Sequence, residues 1–276
     1  MFGMFKPKGA QAVARAGQLY QAGKKAEALQ MALSGGKADP TGWTLAATIA
    51  LELERYPEAL EAADRALESS LSDASKAGAW NLKGQALAGM DRMAEARACF
   101  GPAQAQPMQA LTLATVLALR PPSDAPPRRA PVVLSPSGIK CWFPGATERQ
   151  QHGGQSTFSQ STPGMDFKLV CKYLPADQTE FLRTLEPEKL LSSELEKCRP
   201  SPPCQLLRSE LQPERSCVGY GIFDPQLRKL QIERVWFDLG NSRQVQASVI
   251  IADLKRAAEP EPGYFLNLID LSGPVS

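Results

Sequence analysis

The chain has 276 residues, of which 43% are hydrophobic and 22% are charged, values that are usual for a soluble protein with room for two domains. Its 31 basic and 29 acidic residues give a net charge of +2 without a basic stripe, which argues against non-specific nucleic-acid binding. The six cysteines form no C-x-x-C pair, and the first residues place apolar side chains before the lysines, unlike a signal peptide. We therefore expect a cytoplasmic protein with reduced thiols.

Two stretches in the first hundred residues repeat one pattern. WTLAATIALELERYPEAL begins at Trp43 and WNLKGQALAGMDRMAEAR begins at Trp80, with a small residue four positions after each tryptophan. A weaker, earlier copy contains GKKAEAL, and Ala28, Ala59 and Ala96 mark the shared position at spacings of 31 and 37 residues. Small residues let paired helices approach closely, so the pattern predicts three successive helical hairpins.

This pattern resembles the tetratricopeptide repeat (TPR) family, whose period is 34 residues. The resemblance covers residues 9–107. It implies a solenoid of three stacked hairpins, since a single hairpin cannot bury its apolar face. It also implies that the first helix of each hairpin lines a groove for a protein or peptide partner. A generic alanine-rich bundle is the alternative interpretation of the same residues.

The family's groove positions fall on three sets of residues in this chain. They are Val13, Gly17, Tyr20 and Gln21 in the first copy, Thr44, Thr48, Leu51 and Glu52 in the second, and Asn81, Gln85 and Ala88 in the third. The resemblance thus predicts partner contacts from Tyr20, Gln21, Thr44, Thr48, Leu51, Glu52, Asn81 and Gln85. This lining is nearly uncharged, whereas capture of a terminal carboxylate needs charged donors. A helix or extended segment held by amide and apolar contacts fits better, unless the protein's own chain fills the groove.

Residues 107–120 predict a helix that begins at Pro107 and ends before the next two prolines. Its apolar residues surround most of the helix, which is typical of a buried helix, and the run is too short to span a membrane. We interpret it as the cap of the solenoid, covered on its other side by the second domain; a free partner-binding helix is the alternative. The first domain is then 9–120, followed by a proline-rich linker at 121–131.

The apolar pattern changes to a period of two in the second domain, residues 132–276. Alternation at 167–173 and 245–251 predicts strands with one buried face. Further strands are predicted at 132–143, 217–223, 227–238, 243–254 and 264–271, with one helical region at 178–197. Together these elements predict an α+β domain with an antiparallel sheet. Residues 145–165 predict a long polar loop that is either functional or disordered.

The sequence contains no constellation that is typical of an enzyme or a metal site. The single histidine, His152, has no flanking signature that would pair it with Cys141 as an activated nucleophile. Cys198 and Cys204 lack the paired spacing of zinc ligands. A Gly-x-Gly at residues 219–221 lacks the third glycine of a phosphate-binding turn. We therefore expect no catalytic residue, no metal and no cofactor.

The sequence thus favours a non-enzymatic interaction protein, an adaptor or assembly chaperone, and its composition is typical of bacterial proteins. Two alternatives stay open. The α+β domain could be an enzyme or a small-ligand binder that the repeats target, which a pocket with His152 beside a cysteine would favour. The chain could also be a structural unit of a larger complex. A sheet face with exposed Trp142, Trp236 or Phe237 would favour the adaptor.

Overall fold

The computed structural model of the chain describes residues 8–69, 71–121, 132–134 and 138–272. The chain divides into two compact units, Met1–Leu113 and Ala114–Ser276. The predicted layout is confirmed, because an all-α part precedes an α+β part with an antiparallel sheet. Apart from Pro121, the predicted linker at 121–131 lies outside the described residues.

The first unit is built from helices that follow one another through short turns. They are α1 (Lys8–Gln21), α2 (Lys25–Gly36), α3 (Thr41–Glu52), α4 (Tyr56–Glu68), α5 (Asp73–Gly89), α6 (Met93–Ala98) and α7 (Phe100–Ala103), followed by the beginning of α8 (Pro107–Leu119). Each helix from α1 to α5 packs against the next one, and α5 packs against both α6 and α7. This arrangement of successive hairpins is compatible with a helical repeat solenoid.

Small residues occupy the contacts between these helices, as the repeat pattern requires. The alanines that recur at Ala28, Ala59 and Ala96 are fully buried. At the α2–α3 contact, a Cβ atom added to Gly36 would lie 2.6 Å from the ring of Trp43. Trp43 is partly buried and packs against the apolar core that α1 to α5 share. The tryptophan of the second copy therefore fills a space that only glycine leaves open.

Replacing Gly36 by alanine is expected to lower the free energy of unfolding by about 1–3 kcal/mol, because the new methyl group meets the rigid Trp43 ring. Gly17→Ala is the matched control, since a Cβ atom there meets nothing within 4 Å. The control is expected to raise stability by about 0.5–1 kcal/mol, because alanine is the better helix former. Urea titrations followed by circular dichroism measure both changes, and effects of the same sign would contradict the Gly36–Trp43 contact.

The division between the two units falls inside helix α8, after Leu113. In the first unit, Leu113 packs where a Cβ atom on Gly84 would come within 2.7 Å of its side chain. The predicted first domain extends to residue 120, since this helix is interpreted as the cap of the solenoid. Residues from Ala114 onward belong to the second unit.

Residues 114–120 pack against the glycines of the second unit's sheet. A Cβ atom on Gly221 would lie 2.4 Å from the side chain of Thr115, and one on Gly219 would lie 2.8 Å from Leu119. Both Thr115 and Leu119 are buried. The Gly-x-Gly at residues 219–221 thus allows close packing, which explains these glycines without a phosphate-binding turn.

The second unit contains ten short strands and three α-helices within its described residues. In chain order they are β1 (Val132–Leu134), β2 (Ile139–Cys141), β3 (Glu148–His152), β4 (Gln155–Thr162), β5 (Met165–Tyr173), α9 (Ala176–Arg183), α10 (Pro187–Lys197), β6 (Gln205–Gln212), β7 (Cys217–Asp224), β8 (Lys229–Asp238), β9 (Arg243–Ile251), α11 (Glu261–Asn267) and β10 (Ile269–Asp270). Strands β3, β4, β5, β9, β8, β7 and β6 form, in that spatial order, an antiparallel sheet. Strand β2 pairs with β1 and β10 in a smaller sheet.

The large sheet buries one face against α11 and the residues that follow β2. Residues 165, 167, 169 and 171 of β5 are buried while Lys168 and Lys172 are exposed, as the alternation predicts. The ring of Phe265 in α11 lies 4.9 Å from that of Phe143 and 5.4 Å from that of Phe167, in edge-to-face geometry. These rings fill the core beneath the centre of the sheet.

The opposite face is covered at one end by the α9–α10 pair. Leu190 and Leu191 of α10 pack over Val218, Val235 and other apolar residues of β7 and β8. The predicted helical region at 178–197 is therefore confirmed as two helices, and the second one begins at Pro187, a favoured first position.

Three predictions for the second domain need correction. Residues 145–165, predicted as a loop, contain the β3–β4 hairpin, whose polar strands pair from Glu148↔Ser159 to His152↔Gln155. Residues 264–271, predicted as a strand, are helical to Asn267, and only Ile269–Asp270 form a strand, β10. The predicted strand at 132–143 is broken into β1 and β2, which pair with each other, and β6 was not predicted.

Arg234 of β8 caps the C-terminal end of helix α8, although the two are far apart in the sequence. Its side chain is fully buried and donates hydrogen bonds to the carbonyl oxygen of Leu119, to the carboxylate of Glu210, and to Asn267 Oδ1 at 2.6 Å. Asn267 Nδ2 in turn donates to the carbonyl oxygen of Ala118 at 2.9 Å. The last carbonyls of a helix lack partners within the helix and attract positive charge, so this guanidinium–amide pair caps α8.

Candidate functional site

The predicted partner-binding residues lie on the first helix of each hairpin. These helices, α1, α3 and α5, are neighbours, because α1 contacts α3 and α3 contacts α5. The three helices therefore form one continuous layer of the first unit.

Tyr20 and Glu52 are brought together at one end of this layer. The Tyr20 hydroxyl donates a hydrogen bond to the Glu52 carboxylate, and this bond, with burial, raises the pKa of the phenol. Lys25 Nζ lies 3.0 Å from the other carboxylate oxygen of Glu52. The charge of Glu52 is thus balanced within the unit. Sequence reasoning missed Lys25, although it lies inside the GKKAEAL stretch that marks the first repeat.

The middle of the layer is formed by Thr44, Thr48 and Leu51, which we call the α3 stripe. All three are half-buried and lie one helical turn apart on the same side of α3. The Thr44 hydroxyl donates to the carbonyl oxygen of Thr41 at 2.8 Å, and the Thr48 hydroxyl donates to that of Thr44 at 2.9 Å. Because both hydroxyl protons are used within the helix, the stripe presents methyl groups and an isobutyl side chain.

Asn81 and Gln85 on α5 are joined into a chain of amides with α8. Asn81 Nδ2 donates to Gln109 Oε1 at 2.7 Å, and Gln85 Nε2 donates to Asn81 Oδ1 at 3.2 Å. Asn81 is only 2% exposed, so its amide holds α5 to α8 rather than facing solvent. Gln85 is half-buried, and Gln21 at the end of α1 is exposed. The sequence pattern did not identify Gln109 as the partner of Asn81.

A second polar cluster lies in the α+β unit, beneath α10. The carboxylate of Glu233 is 5% exposed and accepts hydrogen bonds from the Tyr220 hydroxyl, from Gln231 Nε2 at 2.5 Å and from Gln246 Nε2 at 2.8 Å. Burial and the Glu233 charge raise the pKa of Tyr220. Amide and phenol donors therefore satisfy the Glu233 side chain inside the sheet face, and no basic side chain among the described residues forms an ion pair with it.

The surroundings of the cysteines do not favour the thiolate form. Burial raises the pKa of all six cysteine thiols, for example that of Cys99 to about 11. A reactive thiol needs the opposite shift, from a neighbouring cation or a helix N-terminus. His152 is exposed in edge strand β3, where it pairs with Gln155, while Cys141 is fully buried. Trp142, Trp236 and Phe237 are buried as well, so they form no exposed aromatic sheet face.

Within the described residues, no group of three or more histidine, cysteine or acidic side chains is arranged to hold a metal ion. No helix in the same ranges has the length and hydropathy that crossing a bilayer requires. No protein-family model matches the sequence, and the search of curated proteins also finds no match.

Proposed function

We propose that the protein is a cytoplasmic, non-enzymatic adaptor or assembly chaperone whose first unit is a TPR-type solenoid that binds a segment of another protein. The period of its tryptophans and alanines supports the family resemblance. The alanine-, glycine- and proline-rich composition supports a bacterial origin.

One observation carries this proposal: neighbouring helices α1, α3 and α5 place the half-buried, uncharged α3 stripe between two internally bonded polar groups. Glu52 is balanced by Lys25 on one side, and Asn81 is bonded to Gln109 on the other. A charged group brought against such a surface would lose water without gaining a partner. The surface therefore suits an apolar or small-residue face of a helix, or an extended segment, from the partner protein.

We expect Thr44→Glu with Thr48→Glu to abolish most partner capture, because two carboxylates would replace the methyl groups of the α3 stripe. The control carries Ala26→Glu and Gln30→Glu on α2, the second helix of the first hairpin. Both residues are exposed and, like Thr44 and Thr48, they lie four positions apart. Affinity purification from the native host with quantitative mass spectrometry compares each variant with the wild type, after thermal melts establish that both variants are folded. Equal recovery of partners by folded forms of both variants would contradict the proposed face.

A further inference from the structure

Strand β6 is an open edge of the large sheet. It pairs with β7 on one side and has no strand on its other side within the described residues. Leu206 is 39% exposed and Leu211 is 38% exposed. A strand edge presents unpaired backbone groups, and exposed leucines on it make it a template for another strand.

The residues of this edge are complementary to themselves. The run from residue 207 to residue 211 reads Leu207, Arg208, Ser209, Glu210, Leu211, so that a cation and an anion flank a central serine and two leucines flank the charges. In an antiparallel pair of two such strands with Ser209 at the twofold axis, each arginine stands opposite a glutamate. Opposite charges in directly facing positions stabilise strand pairs.

The two charged side chains also have binding capacity that the chain itself does not use. Arg208 is exposed and has no hydrogen bond or ion pair with any described residue. Glu210 Oε1 accepts hydrogen bonds from Arg234 and from Gln212, whereas no described residue donates a hydrogen bond to its second oxygen, Oε2. Arg208 and Glu210 oppose Gly221 and Gly219 of β7, so both lie on the same face of the sheet.

A bulge limits how much of the edge can pair regularly. The register of β6 with β7 shifts between Leu206 and Arg208, and it is regular from Arg208 to Gln212. Bulges are a common way to restrict pairing at sheet edges. Here the bulge lies outside the central arginine, serine and glutamate, so those positions keep the alternation that the facing charges require.

We propose that two copies of this chain associate through β6, in antiparallel register about Ser209, to join their large sheets. Arg208 pairs with Glu210 of the partner subunit at the oxygen that Arg234 leaves open, and the same contact repeats across the axis. Because one edge strand buries little surface, the dimer is reversible. Because Arg208 is exposed, salt weakens its ion pairs with Glu210.

The first test is a cross-link at the axis. Facing residues of antiparallel strands have Cα atoms about 4.5–5.5 Å apart, which suits a disulfide. Full-length Ser209→Cys is expected to form a covalent dimer on mild copper–phenanthroline oxidation. Ser161→Cys, which is exposed on β4, is the control for position. The wild-type protein measures any cross-linking through the native thiols. Covalent dimer at the same low level in all three proteins would overturn the proposed register.

The second test reverses one charge. Arg208→Glu places like charges opposite each other and is expected to weaken association at least tenfold in sedimentation equilibrium across the micromolar to near-millimolar range. Arg228→Glu, exposed in the β7–β8 turn, makes the same charge change away from the edge and is expected to leave association unchanged. A monomeric wild type throughout that range, or a dimer that Arg208→Glu does not weaken, would overturn the proposal.

Discussion

Replacing Arg234 by alanine is expected to lower the free energy of unfolding of the second unit by about 3–5 kcal/mol, the loss typical when one partner of a buried ion pair is removed. The guanidinium is fully buried and has three acceptors: the Leu119 carbonyl, the Glu210 carboxylate and Asn267 Oδ1. Without it the mostly buried side chain of Glu210 loses its ion-pair partner, and the end of α8 loses a donor. Burial lowers the pKa of Arg234, while the charge of Glu210 raises it.

The control for this prediction is Arg228→Ala, because Arg228 is exposed in the β7–β8 turn and is expected to change stability by less than about 0.5 kcal/mol. Urea titrations give the free energy of each variant. A cycle with Glu210→Gln then separates the ion pair from the α8 cap. If Arg234→Ala behaves like Arg228→Ala, the guanidinium makes no net contribution to the fold.

The elements that could be predicted from the sequence are those whose own residues follow a helix or strand period. Strands β5 and β9 alternate apolar and polar residues because each has one buried face. The recurring tryptophans and alanines mark helix contacts at a fixed period, and Gly36 against the Trp43 ring shows the physical reason for that spacing.

The elements that could not be predicted depend on residues distant in sequence. Strand β6 lies at a sheet edge with both faces partly exposed, so its apolar residues do not alternate. The β3–β4 hairpin is polar for the same reason, which made residues 145–165 resemble a loop. Residues 264–267 are apolar enough for a strand but lie in helix α11, where Phe265 packs against Phe143 and Phe167.

For the candidate site, the sequence supplied helix positions but not side-chain partners. Tyr20 corresponds to Leu51 in the next repeat, and Glu52 follows Leu51, so the repeat period brings Tyr20 to the end of α3 that carries Glu52. Their hydrogen bond, the ion pair of Glu52 with Lys25, and the bond of Asn81 to Gln109 join separate helices. Such pairs depend on how adjacent helices pack, which a period alone does not specify.

The predicted boundary of the second domain at residue 132 has a strong experimental consequence. A chain of residues 114–276 is expected to unfold cooperatively, whereas a chain of residues 132–276 is expected to lose cooperative unfolding. The shorter chain lacks the segment that covers Gly219 and Gly221 and provides the Leu119 carbonyl to Arg234. It also removes the Ala118 carbonyl from Asn267. These losses together approach the whole stability of an ordinary domain, about 5–15 kcal/mol.

Leu119→Ala in the longer chain provides the graded control. This substitution keeps the cap on α8 but removes a fully buried side chain. The free energy of unfolding is therefore expected to fall by about 2–5 kcal/mol, and unfolding is expected to stay cooperative. Calorimetry and the dispersion of amide proton signals in NMR spectra measure all three chains. Because Arg234 and Asn267 are held by carbonyls that precede residue 121, the order of stability should be 114–276, then its Leu119→Ala variant, then 132–276. A 132–276 chain that melts as cooperatively and at the same temperature as 114–276 would show that the end of α8 is dispensable to the sheet.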